Sequence, residues 1–116
     1  SYNAEAAITK SRIVKYGAAD GGALQASAAT DKLLGISEQN VNKVAGEAID
    51  VAKVGLQQLE FAGVVTRGGS VASDASGKGI AAVAEANAIG YAEQTTVAGQ
   101  LADVWIVPHT IETAAA

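Results

Sequence analysis

Apolar positions along this chain come in short alternating runs separated by polar, glycine-containing breaks. Arg12-Ile13-Val14-Lys15-Tyr16, Ile49 to Val54, and Leu101 to Val107 are β-branched or aromatic and closed by turn residues, the pattern of half-buried strands. Leu56-Gln57-Gln58-Leu59-Glu60-Phe61 adds a further strand. Alternation sets Ile49 and Val51 with Ala102, Val104 and Ile106 on one face, and Asp50, Ala52 and Val54 with Asp103, Trp105 and Val107 on the other. The alanine-rich run Ile80 to Ala88 has helical propensity. Its place after a turn favours a strand through Val83, then a loop or short helix. Ser1 to Lys10 shows no period, and reads either as a frayed terminus or as an arm that orders on a neighbouring subunit.

Two segments align with each other. Leu34-Gly35-Ile36-Ser37-Glu38-Gln39 followed by Ala45 to Val54 matches Ile89-Gly90-Tyr91-Ala92-Glu93-Gln94 followed by Ala98 to Val107, offset by 55 at the glycines and 53 at Asp50 and Asp103. Each copy has a turn-rich segment upstream, Gly17-Ala18-Ala19-Asp20-Gly21-Gly22 and Ser73-Asp74-Ala75-Ser76-Gly77-Lys78-Gly79. Glycine accepts positive φ there, and Asp or Ser bonds the backbone two residues on. Both copies therefore read as strand, turn, strand, glycine-centred strand, loop, strand. The expected fold is mainly β, a small sandwich or barrel with an internal two-fold repeat and an extended N-terminal arm. Its expected divisions are an arm over 1–11, a single domain over 12–110 and a tail over 111–116. Within the domain, repeat one covers about 12–54, a linking strand 56–61, and repeat two about 70–107.

Composition sharpens this picture. Hydrophobic residues make up 49% of 116 residues, but aromatics are only 4% and 13 positions are glycine, so the large-side-chain core is thin. Burial stabilises in proportion to apolar area, about 25 cal/mol per Å², which makes a lone monomer marginal and points to subunit association. The formal charge is −4 with basic residues scattered singly. This argues against nucleic acid and disfavours an anionic membrane as partner, because both require a concentrated basic footprint. With no cysteine, disulfides, thiolate metal sites and a cysteine nucleophile are excluded. No run is apolar enough to cross a bilayer, and the first residues lack an export signal, so a soluble protein is expected.

Candidate chemistry is sparse. Gly77-Lys78-Gly79-Ile80-Ala81-Ala82 fits a dinucleotide fingerprint in letters only; it lies in a hairpin turn rather than between a buried strand and a helix. His109, the single histidine, follows the single proline and has no partner identifiable along the chain, and reads as a solvated terminal side chain. Asp50 and Asp103 hold matching repeat positions, which leaves paired carboxylates open beside the plainer reading of polar residues on an outer strand face. Ser70 follows Gly68-Gly69 without a nucleophile elbow and reads as a loop serine. Trp105, on the Asp-bearing face, either caps a second layer of core or anchors a subunit contact. No enzyme, cofactor or metal is expected.

The run Arg12 to Gly21, Leu34-Gly35-Ile36, Ala45-Gly46-Glu47 ahead of Ile49-Asp50-Val51, and Ile89-Gly90-Tyr91-Ala92 resembles the capsid decoration, or cement, proteins of tailed bacteriophages, from about Arg12 to Pro108. The resemblance implies a β-rich structural protein on the outer surface of the virion head. It would form homotrimers, bind the major capsid protein, clamp neighbouring shell subunits, and use a terminal arm. Tyr2, Asn3, Ile8 and Trp105 are the candidate subunit or capsid contacts. A small carrier module of the lipoyl or biotinyl type, with Lys78 as the modified residue, and a sugar-binding module in which Trp105 or the tyrosines stack on the ligand, are the alternatives.

Overall fold

Short apolar runs punctuated by turn residues leave no room for a long helix. The computed structural model describes residues 1–112 and contains eleven strands, with no helix among the described residues. The strands are β1 (Tyr2–Ala4), β2 (Ile13–Tyr16), β3 (Gly22–Gln25), β4 (Leu33–Ser37), β5 (Ala48–Ile49), β6 (Val51–Ala52), β7 (Gly55–Glu60), β8 (Ser70–Ser73), β9 (Gly79–Ala81), β10 (Asn87–Ala92) and β11 (Leu101–Thr110). The expected tail over 111–116 lies outside the described residues from 113 onward.

The first sheet has the order β5-β1-β3-β2-β4-β6. Its two edge strands are separated only by Asp50, so the sheet curls until it nearly closes on itself. The second sheet, β7-β11-β10-β8-β9, is antiparallel throughout. Between the sheets Ile13 and Ile36 of the first meet Leu59, Phe61, Val71, Ile89 and Val104 of the second. A smaller cluster of Ala4, Ile8, Val14, Ala23, Leu34 and Ile49 fills the inside of the first sheet.

The aligned segments occupy matching places. Strand order is β3-β2-β4-β6 in one sheet and β9-β8-β10-β11 in the other. Ile36 and Ser37 pair with Ala52 and Val51, as Tyr91 and Ala92 pair with Trp105 and Val104. Both central strands skip a residue against one neighbour, at Leu34 and at Ile89. The aligned glycines share a physical cause: a Cβ on Gly35 would strike the Ala52 carbonyl, and one on Gly90 the Trp105 carbonyl. In the second hairpin Asp74 accepts from the amides of Ser76 and Lys78 while Gly77 takes φ 76°, the turn its Asp-x-Ser-Gly sequence predicts.

Four expectations need correction. The run Ile49 to Val54 is not one strand, because Asp50 divides it between opposite edges of the first sheet. The strand expected through Val83 ends at Ala81, and a turn follows in which Glu85 takes φ 69°. Ser70 opens β8 rather than lying in a loop. The N-terminal segment is extended, but it is ordered by its own domain: β1 lies between β5 and β3, and Ala4 and Ile8 are buried.

Candidate functional site

Strand β11 is the spine of the site. Ala102, Val104 and Ile106 turn inward, while Leu101, Asp103, Trp105 and Val107 face out. Inter-strand register then determines what stands beside Trp105. It is opposite Leu56 on β7 and Tyr91 on β10, and Tyr91 is opposite Ser70 on β8. Cross-strand neighbours have Cβ atoms only about 5 Å apart, so Ser70, Tyr91, Trp105 and Leu56 form a continuous row. Tyr91, Trp105 and Leu56 keep 36%, 48% and 51% of their surface exposed. Trp105 is therefore an outward-facing side chain and does not cap a second core layer.

A polar row runs alongside. Asp103 is opposite Gln58, and the Glu93 amide donates to the Asp103 carbonyl at 3.1 Å. No hydrogen bond or ion pair engages the side chains of Asp103, Gln58 or Glu93 among the described residues. At the end of β7, Glu60 binds Arg12 at 3.1 Å and Lys78 at 3.4 Å. Burial alone would raise the Glu60 carboxyl, but its bonds to Arg12 and Lys78 outweigh that and hold it below the usual carboxylate range.

The irregularity between Ala88 and Gly90 brings His109 beside the row. Its ring stacks on Tyr91 with centroids 4.8 Å apart and planes 17° from parallel. His109 Nδ1 lies 2.7 Å from the Val107 carbonyl, and Nε2 lies 2.9 Å from Ser70 Oγ. A carbonyl only accepts, so in the neutral ring Nδ1 carries the proton and Ser70 donates to Nε2. The pair has the first two members of a nucleophile–base arrangement, yet the third position is a main-chain carbonyl instead of a carboxylate. What the contacts accomplish is to hold the Tyr91 ring. A hollow of about 270 Å³ bordered by Lys32, Asn87, Pro108 and His109 opens next to it, below the usual volume for a cofactor or drug-sized ligand.

The other candidates are dispersed. Tyr2 and Asn3 stand on β1 in the first sheet, where Lys53 Nζ donates to the Tyr2 hydroxyl at 3.2 Å. Ile8 is 1% exposed inside that sheet, which withdraws it as a contact residue. Asp50 belongs to the first sheet's edge and Asp103 to the second sheet, so the carboxylates are not brought together. Gly77 to Ala82 form a turn and β9 with no helix after them. Lys78, the candidate carrier lysine, is tied to Glu60 rather than projecting freely. No group of three or more metal-ligating side chains occurs among the described residues.

Reasoning from sequence placed Trp105 on the Asp-bearing face but left open whether a second layer covers that face, and it missed Leu56, the place of Tyr91 beside Trp105 and the His109–Ser70 contact. Alternation reveals which way one strand faces. Neighbours across strands require register, which the aligned glycines alone hinted at.

No protein-family model matches the chain, and neither does any curated protein. Among solved structures it is similar to the crystal structure of the head fiber gp8.5 N base of bacteriophage phi29, with a TM-score of 0.72. Identity is 15% over 97% of this chain and 95% of that one. The likeness is one of fold, and it extends over both sheets.

Proposed function

We propose that this chain is a structural protein of a bacteriophage virion, seated on the outside of the head, where it binds the major capsid protein and clamps neighbouring shell subunits. The observation that carries the reading is the end-to-end fold shared with a phage head fiber base, a match that leaves almost no residue of either chain unaccounted for. Phage-type sequence patterns around Gly35 and Gly90 point the same way, and those glycines are where strands approach closely.

The work such a protein does is binding. An ordinary specific contact buries about 800 Å² per partner, and many copies on a lattice multiply a modest affinity. Stabilisation follows from binding assembled shell better than separated subunits. Tyr2 and Asn3, presented by β1, are the proposed shell-side contacts, and self-association as a homotrimer would extend that surface across a local three-fold position.

Quantitative mass spectrometry of density-banded particles from the source tests the reading. This chain is expected in fixed ratio to the major shell protein, and its absence from the banded particles would overturn the assignment. Light scattering of the free protein tests the trimer, whose mass should be three times 11.5 kDa.

A further inference from the structure

We propose that the outward face of the second sheet, centred on Trp105 and Tyr91, is a binding platform for a neutral polysaccharide. The inference stands on this face alone and is independent of any association with a phage head.

The chemistry of the two rows selects the ligand. A sugar ring has apolar C–H faces and a rim of hydroxyls. An aromatic side chain supplies a rigid apolar surface at small conformational cost, and here Trp105 and Tyr91 stand side by side with Leu56 extending the row. Along its edge, the carboxylates of Asp103 and Glu93 are acceptors, and the Gln58 amide both donates and accepts. These three side chains are not committed to other groups among the described residues. The Tyr91 ring is already oriented by its stack on His109, itself fixed by Ser70 and Val107. Such preorganisation lowers the ordering cost of binding.

Charge weighs against the competing occupants. The two rows contain Asp103 and Glu93 but no Lys or Arg; Arg12 and Lys78 stand apart at the end of β7, where both pair with Glu60. An anionic polymer is repelled. A second copy docking through the same face would set carboxylates against carboxylates with no Lys or Arg in either row to offset them. A large aromatic buries about 150–250 Å² in full, so the half-exposed Trp105, Tyr91 and Leu56 offer an apolar strip of roughly 300 Å², which Leu101 and Val107 lengthen along β11. A sugar chain needs only such a strip.

The test is affinity electrophoresis in native gels cast with soluble neutral polysaccharides (a β-glucan, a galactomannan, a dextran), with titrations read by the emission of Trp105, the single tryptophan. At least one neutral polymer should retard the protein and shift its emission. Trp105→Ala should abolish retardation, and Asp103→Asn or Gln58→Ala should weaken it at least about fivefold, with far-UV circular dichroism unchanged in each. His109→Ala should weaken it less, by loosening Tyr91. Retardation by an anionic polysaccharide or polylysine but by none of the neutral polymers would overturn the proposal. So would no response to any polymer, or binding that survives Trp105→Ala.

Discussion

At Gly90 one hydrogen separates a paired strand from a clash. A Cβ there would meet the Trp105 carbonyl, which belongs to backbone and cannot swing aside. Gly90→Val should therefore lower stability by about 1–3 kcal/mol, the usual cost of forcing volume into a packed site, read as a lower urea midpoint at unchanged slope. Gly63→Ala is the control. A Cβ there meets nothing within 4 Å and its φ is not positive, so its midpoint should not fall, and its stability should rise by up to the ~0.4–1 kcal/mol that losing a glycine takes from the unfolded chain's entropy. Glu5 offers a second residue-level test. Its carboxylate accepts from the amides of Ala19 and Ala18, which hold its pKa below the usual carboxylate value. Asp31 is lowered too: burial opposes ionisation, but bonds from Ser27 and Ala28 and the charge of Lys15 outweigh it. A carboxyl lowered by folding stabilises above its unfolded pKa, and that contribution disappears as pH falls through the folded value. Stability should thus be flat from neutral pH down to about pH 5 and decline below about pH 4. The midpoint gap between the wild-type chain and Glu5→Gln should narrow across the same acid range, whereas a gap constant with pH would mean that the Glu5 charge contributes nothing.

At the scale of elements, β1 is the strand whose reading changed the most. It inserts between β5 and β3, and Ile8 follows it into the inner cluster, paired by backbone bonds with Lys43. Ile8→Ala should cost about 2–5 kcal/mol, measured by denaturant unfolding; a loss below half a kilocalorie would return the segment to the status of a loose arm. Why this was hidden in the sequence is physical. Tyr2–Ala4 is a three-residue strand with one apolar partner at a distance, too short to show a period. The hairpins were legible because Asp-Gly and Ser-Gly steps dictate local geometry, and β7 because Leu56 to Phe61 alternates. Ile80 to Ala88 was ambiguous since alanine favours helix, yet the Asn87 amide is bound by the Ala29 carbonyl and its side chain by those of Thr30 and Asp31. Those contacts come from more than fifty residues away and override propensity. The candidate site divides in the same way: alternation along β11 puts Trp105 on the face of Asp103 and Val107, while the exposure of that face, and the places of Tyr91, Leu56 and the Ser70–His109 contact, depend on how the sheets pack, on register and on one irregularity in β10.

For the whole molecule, the question posed by a repeated sequence is whether each half is a folding unit. The first sheet has a cluster of its own, but two of its six members are alanine. Ile13 and Ile36 turn to the other side, where Leu59, Phe61, Val71, Ile89 and Val104 cover them. Backbone bonds also run between the halves, from Ile13 to Gly77, Glu60 to Ser11 and Asn87 to Ala29, and Arg12 reaches the Ser76 carbonyl and Glu60. Residues 1–54 alone would leave Ile13 and Ile36 in water and those backbone groups without partners, in a length range where a single core is already marginal. That fragment should therefore show no strand signal by far-UV circular dichroism and no cooperative melt. The intact chain should unfold in one transition that coincides when followed by Trp105 emission and by dichroism. Separate transitions, or a folded fragment, would mean that the inter-sheet core is not what holds the two copies in register, and the face bearing Trp105 would then owe its geometry to the second sheet alone.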